Sequence, residues 1–277
     1  MSKMLLFSVI FANAVITLYA MPAKESNATG KIFSNMSTMT GDELSSRILY
    51  GEYADISEYP YYAYIKGACG AAIISDRWLV TAAHCIQPMR ERQLNQVWVG
   101  GNTVQTSQLY TIDFMVAHPR YNKIMIINDI ALLHLAQPLA FSNTVQPLEL
   151  PRMEYELNAV HKFAGHGQDE YGNPTEHLMS MKARTLGVEE CLSNIPKTQC
   201  YIYHQLYYVN KVSICVQRIG NRFGTCHGDS GGPLVRGNTL VGVLSHGPDT
   251  CSRSLVDFFT NVAPFVGWIK EITGVGY

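Results

Sequence analysis

Cys226-His227-Gly228-Asp229-Ser230-Gly231-Gly232-Pro233-Leu234 sets a serine among glycines, with a carboxylate immediately before it. Small flanking residues let the backbone turn sharply and present the hydroxyl. They also leave peptide N–H groups available for a developing oxyanion. Taken by itself the stretch also reads as an ordinary polar turn. Two other segments supply what the serine lacks. Thr81-Ala82-Ala83-His84-Cys85 puts a histidine just after the apolar run Trp78-Leu79-Val80, and Asn128-Asp129-Ile130-Ala131-Leu132-Leu133 puts one carboxylate at the head of another. A serine hydroxyl is a weak nucleophile until a base takes its proton, and an imidazole base needs a buried acid to fix its tautomer. His84 could be a satisfied core histidine and Asp129 a strand-end cap. Three such pieces in the chain order His, Asp, Ser weigh against both alternatives.

On these motifs the chain resembles the chymotrypsin/trypsin family of serine endopeptidases, from about Ile48 to Tyr277. The resemblance implies an all-β fold: two six-stranded antiparallel β-barrels with the site in the cleft between them, then a short C-terminal helix. It implies barrel boundaries of about 48–142 and 143–262, with the helix at 263–277. Ser230 is the expected nucleophile, His84 the general base and then acid, and Asp129 the residue orienting His84. The N–H groups of Gly228 and Ser230 are the expected oxyanion hole. Ser245 resembles the serine that supports the acid, and Ser245-His246-Gly247 should pair with an extended substrate. Lys162-Phe163-Ala164-Gly165-His166-Gly167 resembles the family's Gly-Trp-Gly strand, with His166 in place of the tryptophan.

The specificity pocket departs from trypsin. Six residues before the nucleophile, where trypsin-like enzymes carry Asp, stands Gly224, followed by Thr225. Asp257, opening Asp257-Phe258-Phe259-Thr260-Asn261-Val262, falls where the other pocket wall usually has glycine. A lone carboxylate there would attract a cationic side chain from the side of the pocket. The same Gly and Asp arrangement occurs in the crab and insect collagenolytic serine proteases, so a mixed preference is expected: large apolar P1 residues plus some Arg or Lys. The plain alternative is an Asp257 turned away into a polar network. His246 stands where Trp is common, and His227 adds a titratable group at the pocket mouth.

The front of the chain reads as processed segments. Lys3, the apolar run Met4–Phe11 and Ala20 make residues 1–20 a secretory signal. Residues 21–47 are rich in Ser, Thr, Asn, Lys and Met without period, so they read as a propeptide. They carry glycosylation sequons at Asn27 and Asn35. Arg47-Ile48-Leu49-Tyr50-Gly51 resembles the family's activation junction. By analogy, cleavage after Arg47 frees the Ile48 amine to fold inward and pair with Asp229, so the uncleaved chain is expected to be a zymogen. Leu49-Tyr50 replaces the family's usual Val-Gly.

Apolar residues make up 47% of the chain and charged ones 16%, with a formal charge of −1. That balance gives no reason to expect nucleic acid, an anionic membrane or a polybasic substrate. Tyr62–Ile65, Ala71–Ile74, Trp78–Val80, Gln96–Val99 and Ile130–Leu133 are the clearest strands of the first barrel, and helical periodicity is weak throughout. The stretch Gly100–Thr111, comparable to a calcium loop of some relatives, has no Asp or Glu, so no calcium is expected. Cys85 beside His84 and Cys226 beside His227 lack a second pair at zinc spacing, so no metal or other cofactor is expected. Seven cysteines in a secreted chain imply disulfides with one left over. The resemblance pairs Cys69 with Cys85 and Cys226 with Cys251. Cys191–Cys215 is its best third match, with Cys200–Cys215 still open. A further bridge common in trypsins would need cysteines where His161 and Arg236 stand. The Tyr-rich span from Cys191 to Cys215 reads as an enlarged surface loop. The expected whole is a secreted, monomeric endopeptidase acting on protein or peptide substrates, with a protein inhibitor as a further partner. Two rivals are a protease-like binding protein without turnover and a cascade protease; the short span 21–47 leaves the latter no room for an extra module.

Overall fold

The computed structural model describes residues 52–169, 172–195, 211–220, 224–247 and 256–277. After a two-residue strand, Glu52–Tyr53 (β1), six strands close on themselves. They are Tyr62–Ile65 (β2), Cys69–Ile73 (β3), Trp78–Thr81 (β4), Gln96–Val99 (β5), Gln108–Ala117 (β6) and Ala131–Leu135 (β7). All pair antiparallel, in the order β2-β3-β4-β7-β6-β5. Every residue of β2 and β3 is buried, because one face fills the barrel and the other is covered by neighbouring elements. That is why these strands read as unbroken apolar runs rather than alternating ones. β6 behaves differently: only Ile112 is buried, and the register slips by a bulge between Ile112 and Phe114.

A second set of six strands closes in the same way: Val160–Gly165 (β8), Met179–Leu186 (β9), Ser213–Arg218 (β10), Pro233–Arg236 (β11), Thr239–His246 (β12) and Val256–Asn261 (β13). Their order is β9-β10-β13-β12-β11-β8, closed by β8 pairing with β9. The chain's first strand, β1, adds to this barrel by pairing with β9. Phe163, Met181, Ile214, Leu234 and Phe259 fill the interior, with the rings of Phe163 and Phe259 edge-to-face at 5.7 Å. The expected architecture of two six-stranded antiparallel barrels is the one that forms.

Two six-residue helices, Ile86–Glu91 (α1) and Val188–Ser193 (α2), have no period visible in the sequence. Gly100–Thr111 holds a tight helical turn at Val104–Thr106, capped by Thr103, and then the start of β6. The chain ends in a helix, Val266–Thr273 (α3), stopped by Gly274 in the left-handed conformation at φ 73°. This helix lies on the first barrel. His118, just past β6, meets the rings of Phe265 and Trp268 edge-on at 5.0 and 4.9 Å.

The barrels touch through backbone. The Gly70 N–H donates to the Ser230 carbonyl at 2.7 Å, and Thr81 Oγ1 donates to the Gly70 carbonyl at 2.8 Å. Gly231 sits against this contact at φ 80°, and a Cβ there would lie 2.1 Å from Thr81 Oγ1. Only glycine fits. Disulfides join Cys69 to Cys85 and Cys191 to Cys215, as the resemblance implied. Cys226 is also disulfide-bonded. Its expected partner Cys251 lies outside the described residues, as do Cys200, Arg47, Ile48, Asn27, Asn35, Leu49, Tyr50 and the tyrosines 201, 203, 207 and 208. Among the described residues no helix is long and apolar enough to cross a membrane.

Candidate active site

His84 lies in the helical turn Ala83–Cys85 that follows β4 and is pinned by the Cys69–Cys85 bond. Asp129 precedes β7 and is fully buried. Hydrogen bonds from both barrels hold it. Its Oδ1 accepts from the His84 backbone N–H at 2.8 Å, and its Oδ2 lies 2.7 Å from His84 Nδ1. Ser245 Oγ donates to the same Oδ2 at 2.6 Å, and Thr260 Oγ1 donates to the Asp129 carbonyl at 2.8 Å. A carboxylate accepts only, so neutral His84 carries its proton on Nδ1 and keeps the Nε2 lone pair for another partner.

The electrostatics agree with this pairing. Burial works against the charged ring of His84, but the charge and hydrogen bond of Asp129 outweigh it and raise His84 above the ordinary histidine value. Burial likewise opposes the Asp129 anion; the charge of His84 and the donors from His84 and Ser245 overcome it and lower Asp129. A cleft of about 400 Å³ opens beside the pair and is lined by Tyr64, His84, His166, His227, Gly228 and Ser230. His84 and Ser230, 146 positions apart by their numbers (230 − 84), thus face one space. Among the described residues, the N–H groups of Gly228 and Ser230 meet no backbone or side-chain acceptor, and Gly228 turns at φ 99°. Two adjacent donors at a sharp turn are what a developing oxyanion needs.

Asp229 points the other way, into the second barrel. Its Oδ1 accepts from the Gly167 N–H at 2.8 Å and its Oδ2 from the Cys226 N–H at 2.9 Å. Burial dominates and pushes its carboxyl up to about 7. His166 fills the neighbouring space between Tyr62 and Tyr64, with ring centroids 5.8 and 4.6 Å away, and burial takes it down to about 4. His246 stacks flat on Phe258 at 4.9 Å, with Nδ1 3.2 Å from Ser245 Oγ; burial takes this ring also to about 4. His161, on β8, and Arg236, on the neighbouring strand β11, both line one cavity.

Asp257 is not the lone carboxylate expected from the sequence. Arg218, at the end of β10, donates from Nε to Oδ2 at 2.9 Å and from Nη2 to Oδ1 at 3.1 Å. Thr225 Oγ1 donates to Oδ1 at 2.8 Å. The register pairs Val216 with Asp257, which places Arg218, two residues on, diagonally across the same face. A signal for it did exist: a single arginine closes the apolar run Ser-Ile-Cys-Val-Gln-Arg. Its partner is 39 positions away, and only the strand register shows which residue it meets.

Comparison with known proteins agrees with this geometry. A family model described as Trypsin matches residues 48–269. A trypsin of Simulium vittatum is 32% identical over 224 residues, spanning 76% of this chain and 86% of the relative. Hypodermin-B of Hypoderma lineatum is 31% identical, spanning 83% and 88%. Cathepsin G of Mus musculus is 30% identical, spanning 84% and 87%.

Proposed function

Because this chain belongs to the trypsin family of serine endopeptidases, we propose that Ser230, His84 and Asp129 carry its hydrolysis of protein substrates. The observation that carries the assignment is the 2.7 Å contact of His84 Nδ1 with a fully buried Asp129, on a histidine that shares its cleft with Ser230. Ser230 Oγ attacks the scissile carbonyl carbon and its proton passes to His84 Nε2. The oxyanion is held by the N–H groups of Gly228 and Ser230. His84 then gives the proton to the departing amine, leaving an acyl group on Ser230. Water, deprotonated by the same nitrogen, releases the acid. Asp129 stays ionised and stabilises the imidazolium, while Ser245 holds Asp129 in place.

In our reading the chain is secreted as a monomer, with residues 1–20 a signal, 21–47 a propeptide and 48–277 the protease. Asn27 and Asn35 are the candidate glycosylation sites, Cys226–Cys251 the candidate third disulfide, and a protein inhibitor a further partner. Cleavage after Arg47 supplies the Ile48 amine to Asp229. A buried carboxyl pushed up to about 7 in spite of the nearby Arg218 charge supports this, because it calls for a further positive partner. The extended substrate pairs with Ser245, His246 and Gly247, and its P1 side chain enters between Gly224, Thr225 and Asp257. P1 preference is broad: large apolar residues, with the share of Arg and Lys set by how far Arg218 screens Asp257. The direct test is labelling by a fluorophosphonate after cleavage at Arg47, with Ser230→Ala as control. Labelling of the parent and not of the variant is expected; labelling of both, or of neither, overturns the assignment.

A further inference from the structure

Asp257 carries a pre-installed counter-ion. Its strand neighbour Phe258 stacks under His246, and His246 precedes Gly247 at the end of β12. That end lies beside the serine, since the Gly231 N–H donates to the Leu244 carbonyl at 2.7 Å. Two glycines lie against the ion pair. A Cβ on Gly224 would fall 2.4 Å from Arg218 Nη1, and one on Gly247 would fall 3.0 Å from Asp257 Oδ1. The pair therefore packs closely against the two backbone segments that lead into Ser230 and away from Ser245. Both side chains are withdrawn from water, with 5% and 0% exposure.

We infer that Arg218 is a specificity-determining residue: its guanidinium occupies Asp257 and cancels the one carboxylate among Gly224, Thr225, Gly247 and Asp257. This rests on the protease reading above and deepens it. A substrate Lys or Arg reaching this region meets a carboxylate already accepting two N–H bonds from Arg218 and one O–H bond from Thr225. It must then share or displace an internal cation and gains little, whereas an apolar P1 side chain disturbs nothing. The pocket behaves as electrically neutral although its sequence contains an acid.

The charge arithmetic is testable with charge-removing substitutions on the activated protein and a panel of peptides differing only at P1. The parent should hydrolyse Phe, Tyr or Leu peptides with a higher kcat/KM than Lys or Arg peptides. Arg218→Gln uncovers Asp257 and should raise the Lys/Arg-to-Phe ratio by about tenfold or more, the gain of one charge-assisted contact. Asp257→Asn leaves the guanidinium instead and should raise the Asp/Glu-to-Phe ratio. Arg218→Gln/Asp257→Asn carries neither charge and should return both ratios to about the parent's. Should Arg218→Gln not fold, Asp257→Asn and the double variant still decide the matter through the Asp/Glu ratio. Unchanged ratios in a protein that still hydrolyses Phe peptides overturn the inference. So does a raised Lys/Arg ratio that survives Asp257→Asn. A parent that hydrolyses no peptide and takes no fluorophosphonate removes the protease reading itself, and the inference with it.

Discussion

The hydroxyl of Ser230 has its role through His84, and His84 through Asp129, so each can be interrogated singly. Ser230→Ala should leave a folded protein whose kcat falls by roughly 10⁵ or more, since removing the nucleophile leaves only binding and the oxyanion donors. Asp129→Asn should cost about 10⁴ in kcat, because an amide at that place can donate to Nδ1 and impose the wrong tautomer. The pH profile carries a sign. His84 is raised above its ordinary 6.5 by Asp129. Because the base must be unprotonated, kcat/KM should rise with pH through a midpoint above 6.5. In Asp129→Asn the raising charge is gone while burial remains, so the midpoint of any residual activity should drop. A midpoint that stays put would place the titration on another group.

At the scale of elements, the Cys69–Cys85 bond closes a 16-residue separation and fixes the turn that carries His84. Replacing both cysteines by serine should cost about 3 kcal/mol by loop-closure entropy, read as a lower denaturation midpoint. Turnover should fall with it, because His84 loses its anchor. These elements were unequally legible in the sequence. β2, β4 and β5 announced themselves as short apolar runs, and the motifs around His84, Asp129 and Ser230 gave their own positions. β6 did not: its apolar run Phe114–Ala117 is not buried, and Ile112 is its one buried residue, so the sequence pattern and the burial disagree. α1 and α2 are too short to display a helical period. Asp257 was placed in its strand, but its partner Arg218 was not. Pairing across a sheet is settled by register, and register follows from closure of the whole barrel rather than from either segment.

The molecule as a whole should respond to pH through Asp229. Its carboxyl rises from 3.8 to about 7, so the uncleaved folded chain holds a proton that the unfolded chain has released. Stability of the precursor should therefore fall as pH rises from about 4 to about 7, by up to about 4 kcal/mol. Cleavage after Arg47 should remove most of that fall by providing an ammonium partner. Denaturant melts of Ser230→Ala, uncleaved and cleaved, at pH 5 and pH 8 measure the difference. Identical slopes would detach Asp229 from activation. A flat precursor profile in Asp229→Asn would assign the effect to this side chain.

The two ends of the described chain are crossed over. β1, at the start, extends the sheet of the later barrel, while α3, at the finish, rests on His118 of the earlier one. Each half is thus belted by a piece encoded beyond the opposite half. A gene cut between residues 142 and 143 would give two fragments that each lack a wrapping segment. Co-expressed, they should be recovered together and insoluble apart, and trimming from residue 263 onward should loosen the half that holds His84 rather than the half that holds Ser230.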